Sequence, residues 1–343
     1  MTAVAEAGTG RWQVSDPAAA LLRRALVWDN TMPFSDGSGG FAAHFRTLQR
    51  MPASGYDCVS VTIASDNDDM AGAVRRITRL RAHIRDNADR LVLAERADDV
   101  LRAQAAGKLA VVMHFQGTLP FDRDAGLVET FYKLGVRHAL MAYNQKNHVG
   151  DGCHERTDAG LSRFGIEVIQ AMNRTGMVVD VSHTGYRTSM ETMEVSTAPV
   201  IFSHSNPRAL VDHERNITDD QARACAATGG VIGLNGVGIF LGGNDISADT
   251  LFRHVDYWVQ LVGIDHVGLG LDHVSDPAAM LAFVQAHAAK YPDRQYGQAE
   301  LLFAAPEDLP PLVEAMLQHG YAEDGVAKVL GGNWLRIARQ VWQ

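Results

Sequence analysis

The feature that most limits what this chain can fold into is a series of short apolar runs, each ending in polar residues and separated from the next by an amphipathic segment. The runs span residues 25–28, 58–64, 109–115, 138–143, 177–181, 199–202, 231–235 and 267–271. Each has strand length. Between them, stretches such as 66–87, 164–174 and 219–227 carry apolar residues three and four apart, the period of a helix with one buried face. Strands alternating with helices make a parallel sheet, because a parallel pair needs a crossover long enough to hold a helix. Eight such repeats without a break in composition favour one sheet closed on itself, a (β/α)8 TIM barrel over residues 1–343, above two doubly wound domains.

Local signals agree with this layout. Gly176, Gly229 and Gly230 follow helical patterns just before strands, where a left-handed C-cap is expected. Thr218, followed by Asp219 and Asp220, is a helix start with an N-cap hydroxyl and acidic residues in the first turn. Beyond Asp272 the pattern changes, and 276–287, 306–319 and 322–343 all read as helix. Residues 276–343 are therefore expected to form a C-terminal helical cap closing the barrel, and residues 1–20 an N-terminal extension.

Composition narrows the function classes. Hydrophobic residues at 46% and charged residues at 21% suit a globular protein with a large core. A formal charge of −9 with no basic stretch speaks against nucleic acid, whose phosphates demand clustered Lys and Arg. Cys58, Cys153 and Cys225 are too scattered for a disulfide framework or a metal knuckle and read as buried thiols. Residues 1–13 lack the basic and apolar regions of a signal peptide, and no run reaches the roughly 18 apolar residues of a membrane span. The expected setting is cytoplasmic, without a membrane partner.

In a (β/α)8 barrel the reacting groups sit at the C-terminal ends of the strands. Here those ends carry Asp29-Asn30-Thr31, His114-Phe115-Gln116, Tyr143-Asn144, Ser182-His183, Ser203-His204 and Asp272. Neighbouring parallel strands lie about 5 Å apart, so His183 and His204 can present ring nitrogens to one divalent ion such as zinc. Asp272 can accept a proton from a water that the ion has acidified. A single histidine at a strand end more often caps backbone. The pair together with Asp272 favours the metal.

Several segments carry a family resemblance. Val179-Asp180-Val181-Ser182-His183 resembles the D-x-S-H strand of the renal (membrane) dipeptidase family, peptidase family M19. Pro199-Val200-Ile201-Phe202-Ser203-His204-Ser205 resembles that family's P-V-I-F-S-H-S strand, and Arg215-Asn216-Ile217-Thr218-Asp219-Asp220 its R-N-x-x-D-D segment. Val267-Gly268-Leu269-Gly270-Leu271-Asp272 is similar to the segment that holds the family's catalytic aspartate. The resemblance implies a zinc barrel that cleaves dipeptides or related small amides. It also implies His183 and His204 on the second zinc, Asp272 as proton shuttle, Arg215 on the substrate's free carboxylate and a homodimer.

The chain departs from the family at the first metal. The strand-one H-x-D is replaced by Thr31 and Pro33 in one register, or by Asp29 and Thr31 in the other. The bridging glutamate of strand three is Gln116, a neutral amide with one carbonyl oxygen and no charge to set against two dications. Tyr143 stands where the family has a substrate-contacting histidine. His114 is either a substitute ligand or hydrogen-bonded core, while His148 and His154 read as solvated loop residues. The expected metal ligands are thus His183 and His204 with Asp272, Gln116 and Asp29. Substrate contacts fall to Arg215, Tyr143 and Asn144. The favoured function is metal-assisted hydrolysis with one zinc rather than two, acting on a small molecule with a free carboxylate. A non-peptidase reaction on an amino-acid-derived metabolite and a catalytically silent binding protein are the other readings.

Overall fold

The computed structural model describes residues 12–34 and 39–343. Nine strands form one parallel sheet: β1 (Trp28–Pro33), β2 (Cys58–Ser65), β3 (Leu91–Leu93), β4 (Leu109–Gln116), β5 (Val136–Leu140), β6 (Val178–Asp180), β7 (Val200–Ile201), β8 (Ile232–Leu234) and β9 (Val267–Leu269). Their order is β7-β6-β5-β4-β2-β1-β9-β8, with β3 paired to β4 off that path. A parallel bridge between Phe202 and Ile232 joins the end of β7 to β8 and closes the ring. Eight strands make the barrel, as expected for a (β/α)8 fold, and helices follow the strands around it.

Two strand expectations shift. The first strand runs over Trp28–Pro33 rather than 25–28. Ala25 is the C-cap of helix Asp16–Arg24, and the Val27 N–H is taken by the Asp57 carboxylate at 2.9 Å, so the ladder starts one residue later. The strand then continues through Asp29, Asn30 and Thr31 because the barrel interior beside it is polar: the Ser60 hydroxyl donates to Asn30 Oδ1 at 2.7 Å. The short strand β3 was not anticipated.

Along β2, Val59, Val61 and Ile63 belong to the core between sheet and helices, while Cys58 packs in a separate cluster with Ala110, Val112, Val178, Ile201 and Trp334. The alternation of a half-buried strand thus survives inside a barrel, with the two faces meeting two different cores. The floor of the inner core is Trp334 on helix Asn333–Val341. Its indole N–H donates to Leu269 O at 2.9 Å, and Asn333 Nδ2 donates to Val267 O at 2.8 Å. Gly268 lies against that indole, where a Cβ would come within 2.6 Å of the ring. Gly176 and Gly229 are left-handed C-caps, with φ of 84° and 82°. Gly230 serves differently: a Cβ there would meet Val200 O at 1.9 Å, so the glycine permits close approach of two backbones.

The C-terminal cap divides in two. Helix Pro277–Ala286 and the turn Asp293–Tyr296 cover the C-terminal mouth of the barrel, whereas Asn333–Val341 closes the opposite end. No helix among the described residues is long and apolar enough to cross a membrane. Because Trp334 fills the floor at 2% exposure and its N–H is bonded, Trp334→Ala is expected to cost about 3–5 kcal/mol of stability. Urea unfolding followed by circular dichroism measures it.

Candidate active site

Three residues at the barrel mouth hold left-handed backbone although none is glycine: Asn144 (φ 61°), His183 (φ 61°) and Asp272 (φ 57°). Such conformations cost about 1–3 kcal/mol each for ordinary residues and persist where the surroundings fix them. Here the fixing bonds are visible. The His154 N–H donates to Asn144 O at 2.7 Å, the Cys153 N–H to His183 O at 2.8 Å, and the Asp272 N–H to Thr31 O at 3.0 Å. Each strand end turns sharply and sends its side chain into the mouth.

His183 and His204 meet there. Their Nε2 atoms are 2.9 Å apart, His183 Nδ1 is 2.6 Å from Asn144 Oδ1, and His204 Nδ1 is 2.7 Å from Ser203 Oγ and 3.2 Å from Thr31 Oγ1. An amide oxygen only accepts, so the His183 proton sits on Nδ1 and its Nε2 carries a free lone pair. His204 then donates its Nε2–H to His183 and accepts the Ser203 hydroxyl at Nδ1. Burial drives both imidazoles well below their ordinary pKa, and the Arg215 charge pushes the same way. The Tyr143 ring stacks on His183 at 4.1 Å between centroids, and its hydroxyl, raised to about 12 by burial, bonds Tyr291 at 2.8 Å.

Two carboxyls flank the pair. Burial lifts Asp272 to about 6 against the pull of Arg215 and the Asn235 amide, whose Nδ2 donates to it at 3.3 Å. Burial lifts Asp29 further, to about 7, although its Oδ1 accepts the Leu271 and Thr31 N–H groups at 2.9 and 3.3 Å. Asp29 therefore ties β1 to the segment that positions Asp272. Gln116 is buried beside them, and its Nε2 has no partner.

Arg215 is the unbalanced charge. It is 2% exposed, its Nη2 donates to His204 O at 3.2 Å, its Nε has no partner, and it makes no ion pair among the described residues. Its guanidinium lies 5.3 Å from the Phe240 ring centroid. A buried, unpaired cation with free donors calls for an anion.

These groups border a cavity of about 630 Å³. Gln116, Tyr143, His183 and Asp272 line it; His204, Arg215, Asn144 and Asp29 stand one layer behind. Asn144 thus holds His183 rather than facing the cavity. Asp66, also on the wall, escaped the sequence reading. It accepts N–H groups from Leu119 (2.9 Å), Tyr143 (2.8 Å) and Asn147 Nδ2 (2.9 Å), joining three strand-end loops. The signal was present, since Ser65-Asp66 closes the second strand as the other site residues close theirs. The roof comes from the C-terminal cap, including Met280, Phe283, Val284, Tyr291 and Tyr296. His154 is not solvated. Its Nδ1 lies 2.7 Å from Glu214 Oε2 and its Nε2 lies 3.0 Å from the Tyr296 hydroxyl.

A family model described as membrane dipeptidase, peptidase family M19, matches residues 39–293. The chain belongs to this family. Among M19 relatives, dipeptidase tcpJ of Claviceps purpurea is 32% identical over 259 residues, 74% of this chain and 56% of that protein. The chain thus spans little more than half of that relative's length. An amidohydrolase from Pseudomonas aeruginosa superimposes with a TM-score of 0.83 at 31% identity, covering 95% of this chain and 99% of that one. A metallopeptidase from Rhodobacter sphaeroides, solved with a phosphinate mimic of L-Ala-D-Ala, shares the fold at 20% identity and TM-score 0.77, over 93% and 99%. Membership makes this M19 chain a hydrolytic enzyme of the metal-dependent dipeptidase type.

The M19 donor set is kept in one half of the site and lost in the other. At the histidine pair both rings are neutral and each Nδ1 has a partner; His183 Nε2 offers its lone pair as it stands, and His204 Nε2 offers one once its proton moves to Nδ1, where Ser203 Oγ can accept it. At the other half, the Thr31 hydroxyl is spent on Asn30 O at 2.6 Å, Asp29 Oδ1 is spent on backbone, and Gln116 brings no charge. Among the described residues no three His, Cys, Asp or Glu side chains form a group that could hold a metal ion. The two imidazoles offer ring-nitrogen donors, whereas Thr31, Asp29 and Gln116 bring no shared negative charge to the other half.

In metal-free protein, neither His183 nor His204 should take up a proton between pH 7 and pH 5. Unfolded imidazoles do so near 6.5, so each ring withdraws stability as pH falls through that value. Nitrogen-15 chemical shifts of the two rings, before and after Arg215→Met, test both the neutrality and its electrostatic part.

Proposed function

We propose that this M19 chain hydrolyses a dipeptide or related small amide carrying a free carboxylate, using one zinc ion at His183 and His204. The observation that carries the reading is the meeting of the two neutral Nε2 atoms at 2.9 Å, with His183 and Asp272 on the wall of one cavity. When bound, the ion supplies Lewis acidity and a water of lowered pKa.

The chain's own residues do the rest. Asn144 keeps the His183 proton on Nδ1, and Tyr143 holds the ring plane by stacking. Asp272 takes a proton from the attacking water and passes it to the departing amine nitrogen. A carboxyl near 6 suits that task, since it is mostly ionised at neutral pH yet basic enough to hold a proton briefly. Arg215, set behind the Phe240 ring, draws the substrate carboxylate to its side of the cavity; direct pairing with the planar guanidinium needs the Phe240 side chain to give way. Phe240 and Tyr296 keep water from this charge. The reading involves neither nucleic acid nor membrane; a cytoplasmic location and a homodimer accompany it.

Metal analysis of purified protein should give about one tightly held divalent ion per chain; two, or none after reconstitution, would count against the reading. Asp272→Asn is expected to lower kcat by about 10²–10⁴-fold while sparing substrate binding. The wild-type rate should fall on the acid side as Asp272 protonates, with a midpoint below the value near 6 that burial gives it without the cation, whose charge favours the carboxylate. Arg215→Met should raise KM for substrates with a free carboxylate, and much less so for their amidated analogues.

A further inference from the structure

The cavity wall is chemically lopsided. Its roof is apolar and aromatic, with Phe34, Ile239, Met280, Phe283, Val284 and Phe303 all facing the space. The free amino group of a dipeptide needs an acceptor, and the wall has few. Among the described residues three carboxylates line it, Asp66, Asp68 and Asp272. Asp66 is engaged by three N–H donors, two from backbone and one from Asn147. Asp68 is paired with Arg76 and accepts the Ser65 N–H at 2.9 Å. Asp272 is assigned to proton transfer. The rim adds one cation: Lys290 borders the cavity, bonds the Asn67 amide oxygen and pairs with no carboxylate among the described residues, whereas Arg76 is matched by Asp68.

From this wall we infer that the substrate is an N-acylated amino acid with a bulky apolar acyl group, rather than a free dipeptide. Its carboxylate lies on the Arg215 side of the cavity, against Phe240 and Tyr296, its amide lies by His183 and Asp272, and its acyl chain fills the space under Met280, Phe283 and Val284. Water adds to the acyl carbon, the C–N bond breaks, and the proton released by the water reaches the amine nitrogen by way of Asp272. The products are a carboxylic acid and a free amino acid. An ammonium on the acyl side would meet an apolar roof and the Lys290 charge, with no unengaged carboxylate among the described wall residues to receive it. Each buried methylene is worth roughly a fourfold change in binding, so chain length should be read strongly by the enzyme.

The inference rests on the amide-hydrolase reading, and one panel separates the two. The metal-loaded protein is assayed with N-octanoylalanine, N-acetylalanine and alanylalanine, each with L- and D-alanine at the carboxyl end. The better octanoyl compound should exceed both the acetyl compound and the dipeptide by at least about a hundredfold in kcat/KM, the factor for burying three or four of its six added methylenes. Faster turnover of the dipeptide would overturn the inference and leave the hydrolase reading standing. If none is cleaved, the hydrolase reading fails, and calorimetry decides the inference: binding of N-octanoylalanine at least about tenfold tighter than of alanylalanine supports it, and equal or weaker binding overturns it. In Phe283→Asp, shown folded by circular dichroism, the octanoyl-to-acetyl ratio should collapse towards one; an unmoved ratio contradicts the placement of the acyl chain.

Discussion

Two imidazoles whose Nε2 atoms lie 2.9 Å apart can share one proton but cannot both carry one on those atoms. The site is arranged around that restriction. Burial in the barrel mouth keeps both rings neutral, the Arg215 charge reinforces this, and the Asn144 amide oxygen decides which His183 nitrogen holds its proton. A charged ring here would face a second ring and a buried guanidinium that makes no ion pair among the described residues. Neutrality and ring orientation thus follow from one piece of geometry.

Holding that geometry costs backbone strain. Asn144, His183 and Asp272 all adopt left-handed φ, and each is pinned by a hydrogen bond from a neighbouring segment. The strain falls at the cavity and its immediate support, while the barrel floor around Trp28 and Trp334 is apolar and well packed. This division is common in enzymes of the TIM-barrel type, with stability concentrated at one end of the strands and chemistry at the other.

The departures from the family pattern are physically coherent rather than scattered. Where two metal ions would need shared negative charge, the chain has Gln116, a Thr31 hydroxyl turned to backbone, and an Asp29 that burial pushes towards the protonated form. The roof supplied by the C-terminal cap is apolar and aromatic.

Most of the fold and half of the site were legible in the sequence. Strand–helix alternation is a local property of periodicity, so the barrel, the helix Asp219–Ala227 and the glycine caps at 176 and 229 could be read residue by residue. The polar strand ends likewise announced His183, His204 and Asp272, because a barrel always turns those ends to one mouth. Three things waited for tertiary structure. The polar course of β1 depends on Ser60 across the barrel, Asp66 matters through three loops distant in sequence, and Asn144 became a support for His183 once the two side chains were seen together. Sequence spacing sets which face of a strand a residue occupies. Only the closed barrel and its C-terminal roof set who meets whom across it, and so which charges are balanced, which are left free, and how apolar the space between them is.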